Sequence, residues 1–213
     1  SALASHRLNM QKLRGIKVLV DQDSAYTAHT TLGKEPEELL PHEKNWASLL
    51  ASFGFATTIL PVQDDLAIEN QTIAIAGQLL RNLSNEQITN LITKNTVLLD
   101  GESIQVLLDR KLGNLLHIQR AKWHPCKRGY QSFEQADGTT VQGVKNPRIT
   151  MLQHTGNYLQ LDYQADSNVK IWSSAYNSID QKLGNFMAVI DDHIIVLPMD
   201  QDPKHGWESQ FSS

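Results

Sequence analysis

Four short apolar runs, Ile16–Val20, Phe55–Leu60, Thr72–Ala76 and Thr96–Leu99, alternate with helical patterns, and this alternation restricts the fold more than any other feature of the chain. Strands of four to six residues separated by helices imply βαβ units. Their crossovers are right-handed, and helices then cover both faces of a parallel sheet. The first run is rich in β-branched residues and runs into Asp21, Gln22 and Asp23, as a buried strand with a polar end does.

Each helix has its own local signals. Pro41 suits a first helical turn, where a missing N–H costs nothing. Trp46, Leu49, Leu50 and Phe53 then recur at i, i+3, i+4 and i+7, one apolar face, and Gly54 stops the helix. The next strand, Phe55–Leu60, is expected to close at Pro61. The strand Thr72–Ala76 is expected to end at Gly77. Ser84 with Gln87 reads as a capping box, ahead of Ile88, Leu91 and Ile92. A last helix is expected from about Glu102, with Ile104, Leu107, Leu108 and Leu112 on one face and Gly113 as its terminator.

After about Leu115 helical periodicity disappears. Short apolar runs take over: Leu115–Ile118, Ile149–Leu152, Tyr158–Tyr163, Val169–Trp172, Phe186–Ile190 and His193–Leu197. Asp137–Gly138 and Asp191–Asp192 are turn signals between them, and Phe186 to Leu197 reads as a β-hairpin. The expected division is an α/β core over 1–120 and a β-rich section over 121–213 that completes the same domain. The chain starts at Ser1 rather than at a methionine and ends in polar Ser209–Ser213, which reads as a piece of a larger protein.

The totals exclude several function classes. With 213 residues, 40% hydrophobic and 20% charged, the chain can bury a sizeable core. A net charge of −4 lacks the basic face of a nucleic-acid binder. No stretch approaches the roughly 18 apolar residues of a membrane span. The location stays open between the bacterial cytoplasm and export. A single cysteine, Cys126, excludes an internal disulfide and a thiolate-rich zinc site. The eight histidines show no metal-ligand spacing, and no Gly-rich phosphate loop is present, so neither a metal nor another cofactor is expected.

The order of elements is itself informative. The segments IKVLVDQDSAYT and LLPHEKNWASLLASFGFATTIL, then TIAIAGQLLRNLSNEQITNLITKNTVLLDGESIQVLLDRKLG, and finally VKIWSSAYNSIDQKLGNFMAVIDDHIIVLP together resemble the class I glutamine amidotransferase-like domain. That domain is found beside glycosidase barrels, as in the trimerisation domain of family 42 β-galactosidases and in bacterial polysaccharide-degrading proteins. The resemblance covers about three-quarters of the chain. It implies a flavodoxin-like fold and, in active members, a nucleophilic cysteine on a tight strand-to-helix elbow with a histidine and a glutamate further on. This chain departs from that pattern. It has no G-x-C-x-G, Cys126 follows Pro125, and His205 and Glu208 have the wrong spacing. The resemblance therefore implies a non-catalytic member that packs against the catalytic domain of its own polypeptide or against copies of itself.

Three sets of residues remain candidates. Asp21, Asp23, Asp100 and Glu102 fall at the carboxyl ends of expected strands, where open α/β sheets bind ligands; the alternative is that Asp100 caps a helix and Glu102 suits its first turn. Trp123 and Tyr130 flank a polar loop and could offer aromatic faces to a carbohydrate or a partner, whereas Trp172 is expected in the interior. Cys126 beside His124 could be a nucleophile with its base in an amidotransferase or hydrolase, or a loop cysteine beside a chance histidine. A sugar-binding site at the strand carboxyl edge is the third possibility.

Overall fold

The computed structural model describes residues 15–21, 43–52, 54–62, 67–124, 129–133, 151–154, 157–177, 179 and 181–199. A seven-stranded sheet forms its centre. Five strands are parallel: β1 (Ile16–Asp21), β2 (Thr57–Val62), β3 (Thr72–Ile75), β4 (Thr96–Asp100) and β13 (Ile194–Leu197), in the order β2-β1-β3-β4-β13. Strand β12 (Ala188–Ile190) pairs antiparallel with β13, and β9 (Val169–Ile171) pairs antiparallel with β12. This is the flavodoxin-like arrangement extended by antiparallel strands that the alternation and the resemblance imply.

Helices lie on both faces. On one face α1 (Glu43–Ser52) buries Trp46, Leu49 and Leu50 against Ile16, Val18, Ala74, Leu98 and Ile195. The other face carries α2 (Gly77–Asn82), α3 (Asn85–Lys94) and α4 (Gly101–Asp109), whose Leu79, Leu80, Ile88, Leu91, Ile104 and Leu107 join Leu19, Ile73, Ile75 and Val97 in the larger core. A two-stranded sheet of β5 (Ile118–His124) and β8 (Tyr158–Tyr163) continues that core through Ile118, Leu159 and Leu161. A separate sheet has the order β11-β10-β6-β7, from β6 (Gly129–Phe133), β7 (Met151–His154), β10 (Ser173–Asn177) and β11 (Lys182–Asn185). No helix among the described residues is long and apolar enough to cross a membrane.

The local chemistry explains these boundaries. At the start of α3, Gln87 N–H donates to Ser84 Oγ (3.2 Å) and Ser84 N–H donates to Gln87 Oε1 (2.8 Å), the expected capping box. Strand β2 does not close at Pro61 but runs through it to Val62. Ile16 N–H donates to Ala56 O, so alternate residues from Ala56 onward turn their backbone groups to β1, and Pro61 falls among those turned outward. At the sheet edge a proline there removes no ladder bond. The β12–β13 turn places Asp191 and Asp192 at φ 50° and 61°, which twists the hairpin in the sense of its strands.

Three boundaries differ from the expected ones. Strand β3 ends at Ile75, because Ala76 caps α2, a helix too short to show periodicity. Helix α4 begins at Gly101 and ends at Asp109, with Lys111 in the left-handed region; Gly113 opens a 3₁₀ turn, Gly113–Leu116, instead of closing the helix. Leu115 and Leu116 belong to that turn rather than to a strand. Trp172 lies between β9 and β10, half-buried against the α1 face. Pro41, Phe53 and Asp137–Gly138 fall outside the described residues.

Candidate functional site

Strand order reverses between β1 and β3, the topological switch point at which open α/β sheets offer a crevice beyond their carboxyl ends. Asp21 closes β1, Ala76 follows β3, and Asp100 closes β4. Asp21, Asp100 and Glu102 therefore share one edge of the sheet. Asp23 and Cys126 fall outside the described residues.

Each of these carboxylates is engaged by a neighbour. Asp21 is largely buried, and its Oδ2 accepts from Asn82 Nδ2 at 2.7 Å. Asp100 is 1% exposed and caps α4: its Oδ1 accepts from Ser103 N at 2.8 Å and lies 2.7 Å from Ser103 Oγ. The same Ser103 hydroxyl lies 2.6 Å from Ile75 O. Glu102 Oε1 meets the Arg81 guanidinium at 2.9 Å. Ser103 beside an aspartate has the composition of a nucleophile with its base, but Ser103 is fully buried and held between a capping carboxylate and a backbone carbonyl. No substrate atom can reach it.

The two strand-to-helix elbows at this edge are too tight for a side chain. At Ala76–Gly77, a Cβ on Gly77 would sit 2.6 Å from Glu102 Cγ. At Asp100–Gly101, a Cβ on Gly101 would sit 2.8 Å from Trp123 Cη2 and 3.0 Å from the Met199 carbonyl carbon and oxygen. Trp123 is half-buried near the end of β5, its ring against Gly101 and its Nε1 donating to Gln105 Oε1 at 2.8 Å. His124 bonds Gln160 Oε1 at 2.8 Å and stacks on Tyr158 at a ring distance of 5.9 Å. Tyr130 pairs with Tyr176 across β6 and β10, well along the chain's second sheet; its side chain lies outside the described residues.

Sequence reasoning located the edge but missed Asn82, Arg81 and Ser103. Only Ser103 had a local signal: it stands three residues after Asp100, the spacing of a cap and its partner.

No family model matches the chain, and no curated protein matches it in sequence. Among solved structures, the carbohydrate deacetylase Agd3 superposes on 88% of the chain with a TM-score of 0.51 at 13% identity. The chain spans 29% of the length of that protein. A ThuA-like protein from Bacteroides uniformis aligns over 92% of the chain and 85% of its own length, with a TM-score of 0.46 at 10% identity. The first of these is a likeness of fold.

Proposed function

We propose that this chain is a non-catalytic, amidotransferase-like accessory module of a bacterial carbohydrate-active protein, acting by packing against the catalytic domain of its own polypeptide or against copies of itself. One observation above all supports this reading. The elbows where such a scaffold would present a nucleophile hold Gly77 and Gly101, and neighbouring groups occupy the space a side chain would need. The carboxylates around them are engaged by Asn82, Arg81 and Ser103, so none stands ready as a general base. The fold-level likeness to part of a carbohydrate deacetylase is consistent with a module within a larger protein.

The test combines chemistry and hydrodynamics. Glutamine and an acetylated saccharide are each incubated with the purified chain. No turnover is expected, and Cys126 is expected to resist alkylation at neutral pH. Light scattering during size-exclusion chromatography decides whether packing is to copies of itself. Turnover that disappears in Cys126→Ala would overturn the reading.

A further inference from the structure

The amino edge of the sheet, opposite the elbows, holds an open cleft of about 470 Å³. It lies between the last turn of α3, the start of β3 and β4, and the β12–β13 turn, and is lined by Gly15, Asn70–Thr72, Thr93–Thr96 and His193. The volume is that of a small-ligand site. Among the described residues amides and hydroxyls dominate its lining, the His193 imidazole is its one ring, and its one ammonium, Lys94, is paired with Glu69 at 2.7 Å.

The cleft is built rather than incidental. Asn95, 4% exposed, donates to Ile68 O (2.8 Å) and Leu91 O (3.0 Å) and accepts from Gln71 N (3.0 Å). Asn70 N–H donates to Lys94 O and Thr96 N–H to Gln71 O, both at 2.9 Å. These bonds fix the 67–71 segment to the end of α3. Asn70 stands at φ 56°, a conformation that asparagine tolerates better than most residues. His193 lies with Nδ1 2.8 Å from Asp191 O and Nε2 3.2 Å from Ile92 O, and its neutral ring donates to one of these two carbonyls. The side chains of Asn70 and Thr96 make no hydrogen bond to another described residue, and Thr93 Oγ1, which donates to Thr89 O, keeps its lone pairs. A preformed wall thus offers both donors and acceptors with little net charge.

We infer that this amino-edge cleft binds a neutral, polyhydroxylated ligand, a single saccharide unit. Hydroxyls both donate and accept, which matches the mixed amide and hydroxyl lining. A phosphate or carboxylate would find the one lysine among the described lining residues already paired, and a flat aromatic ligand would find no tyrosine, tryptophan or phenylalanine among them, only the His193 imidazole. With no tyrosine or tryptophan among the described lining residues the affinity is weak, with a Kd on the order of 1 mM. The inference rests on the carbohydrate-linked reading for its choice of polyol, but not on the absence of catalysis.

The experiment is a titration of the isotopically labelled full chain, followed by amide resonances, with methyl β-D-glucopyranoside and N-acetyl-D-glucosamine. Inorganic phosphate serves as the charged control. Saturable shifts are expected at residues 70–72, 93–96 and 193. The double variant Asn70→Gly, Thr96→Val, whose glycine accepts the φ of 56°, is expected to weaken binding about fivefold or more while the thermal midpoint stays within about 3 °C of the parent. Shifts that do not saturate, shifts confined to the opposite edge, or stronger shifts with phosphate at the same residues would each overturn the inference. Failure here leaves the packing role standing, whereas turnover of substrate would sink that role and leave this site in place.

Discussion

Replacing Asn95 is the sharpest test of how the amino edge is held together. Its carboxamide satisfies three backbone groups, Gln71 N–H, Ile68 C=O and Leu91 C=O, from a position that is 4% exposed. Asn95→Ala orphans all three at once. At about 1 kcal/mol for each group left without a partner, the expected loss is about 3 kcal/mol. In a chain of this length that lowers the thermal midpoint by about 6–12 °C. Asn95→Asp separates hydrogen bonding from shape. The aspartate keeps the acceptor for Gln71 N–H, but it turns a second oxygen on two carbonyl oxygens and puts an anion at the negative end of α3. It should therefore destabilise at least as much as alanine at neutral pH, although it is nearly isosteric with the native residue. Urea unfolding of the three proteins, compared at unchanged m-value, measures both losses. An Asn95→Asp protein within about 1 kcal/mol of the parent would refute the reasoning, because the carboxamide donors would then not be what holds the segment.

Three further outcomes follow from the same structure. Gly101→Ala forces a methyl into the Trp123 ring and the Met199 backbone; a loss of about 1–3 kcal/mol and a changed near-ultraviolet tryptophan band are expected, and an unaltered protein would show that this elbow has room. Burial holds the Tyr158 and Tyr163 hydroxyls above the ordinary tyrosine range, with Tyr163 and Asp162 adding to the effect at Tyr158. The native state then keeps protons that the unfolded chain loses near pH ~10, so their contribution is complete below that pH and falls above it by about 1.4 kcal/mol per pH unit for each tyrosine. Phenolate absorbance should show both ionising only as the protein unfolds, a late step reduced in Tyr158→Phe and Tyr163→Phe; ionisation with native circular dichroism intact would contradict this. The exposed Asp192 carboxyl is held below the ordinary range, first by its hydrogen bond from Lys170, then by the bond from Asn168 and by the Lys170 charge. Its small contribution is present above the unfolded carboxyl range and lost as pH falls through the folded value, and Lys170→Met should return its titration, followed by NMR, toward that of a free aspartate.

What could be read in the sequence was what local chemistry determines. Parallel strands are buried on both faces, so β1, β3 and β4 appear as near-continuous apolar runs; α3 announced itself through Ser84 and Gln87. The errors fell where tertiary position overrides local preference. Pro61 would end a central strand but is harmless in β2, because β2 is the sheet edge, and edge status depends on partners far along the chain. Helix α2 has six residues, too few for a periodic pattern to stand out. The antiparallel runs of the second half were visible, yet nothing local told β13, which joins the parallel sheet beside β4, from β10, which joins a different sheet.

The same division explains why the strand-end carboxylates were ambiguous. Asp100 could be resolved from sequence alone, since its partner Ser103 is three residues away. Asp21 could not, because the amide that engages it, Asn82, is 61 residues distant and sits on the helix that sequence reading missed. The elbows are more instructive still. A glycine after a strand is compatible with two opposite situations: a nucleophile elbow that needs a small neighbour to turn sharply, or a crowded junction that tolerates no side chain at all. Glu102 against Gly77 and Trp123 against Gly101 make this edge the second kind. Both crowding groups come from beyond the strand in question, Glu102 from α4, which follows β4 rather than β3, and Trp123 from β5. A flavodoxin-like frame that closes these elbows still has, among its described residues, room at the opposite end of the sheet, where the Asn95 network borders a polar cleft.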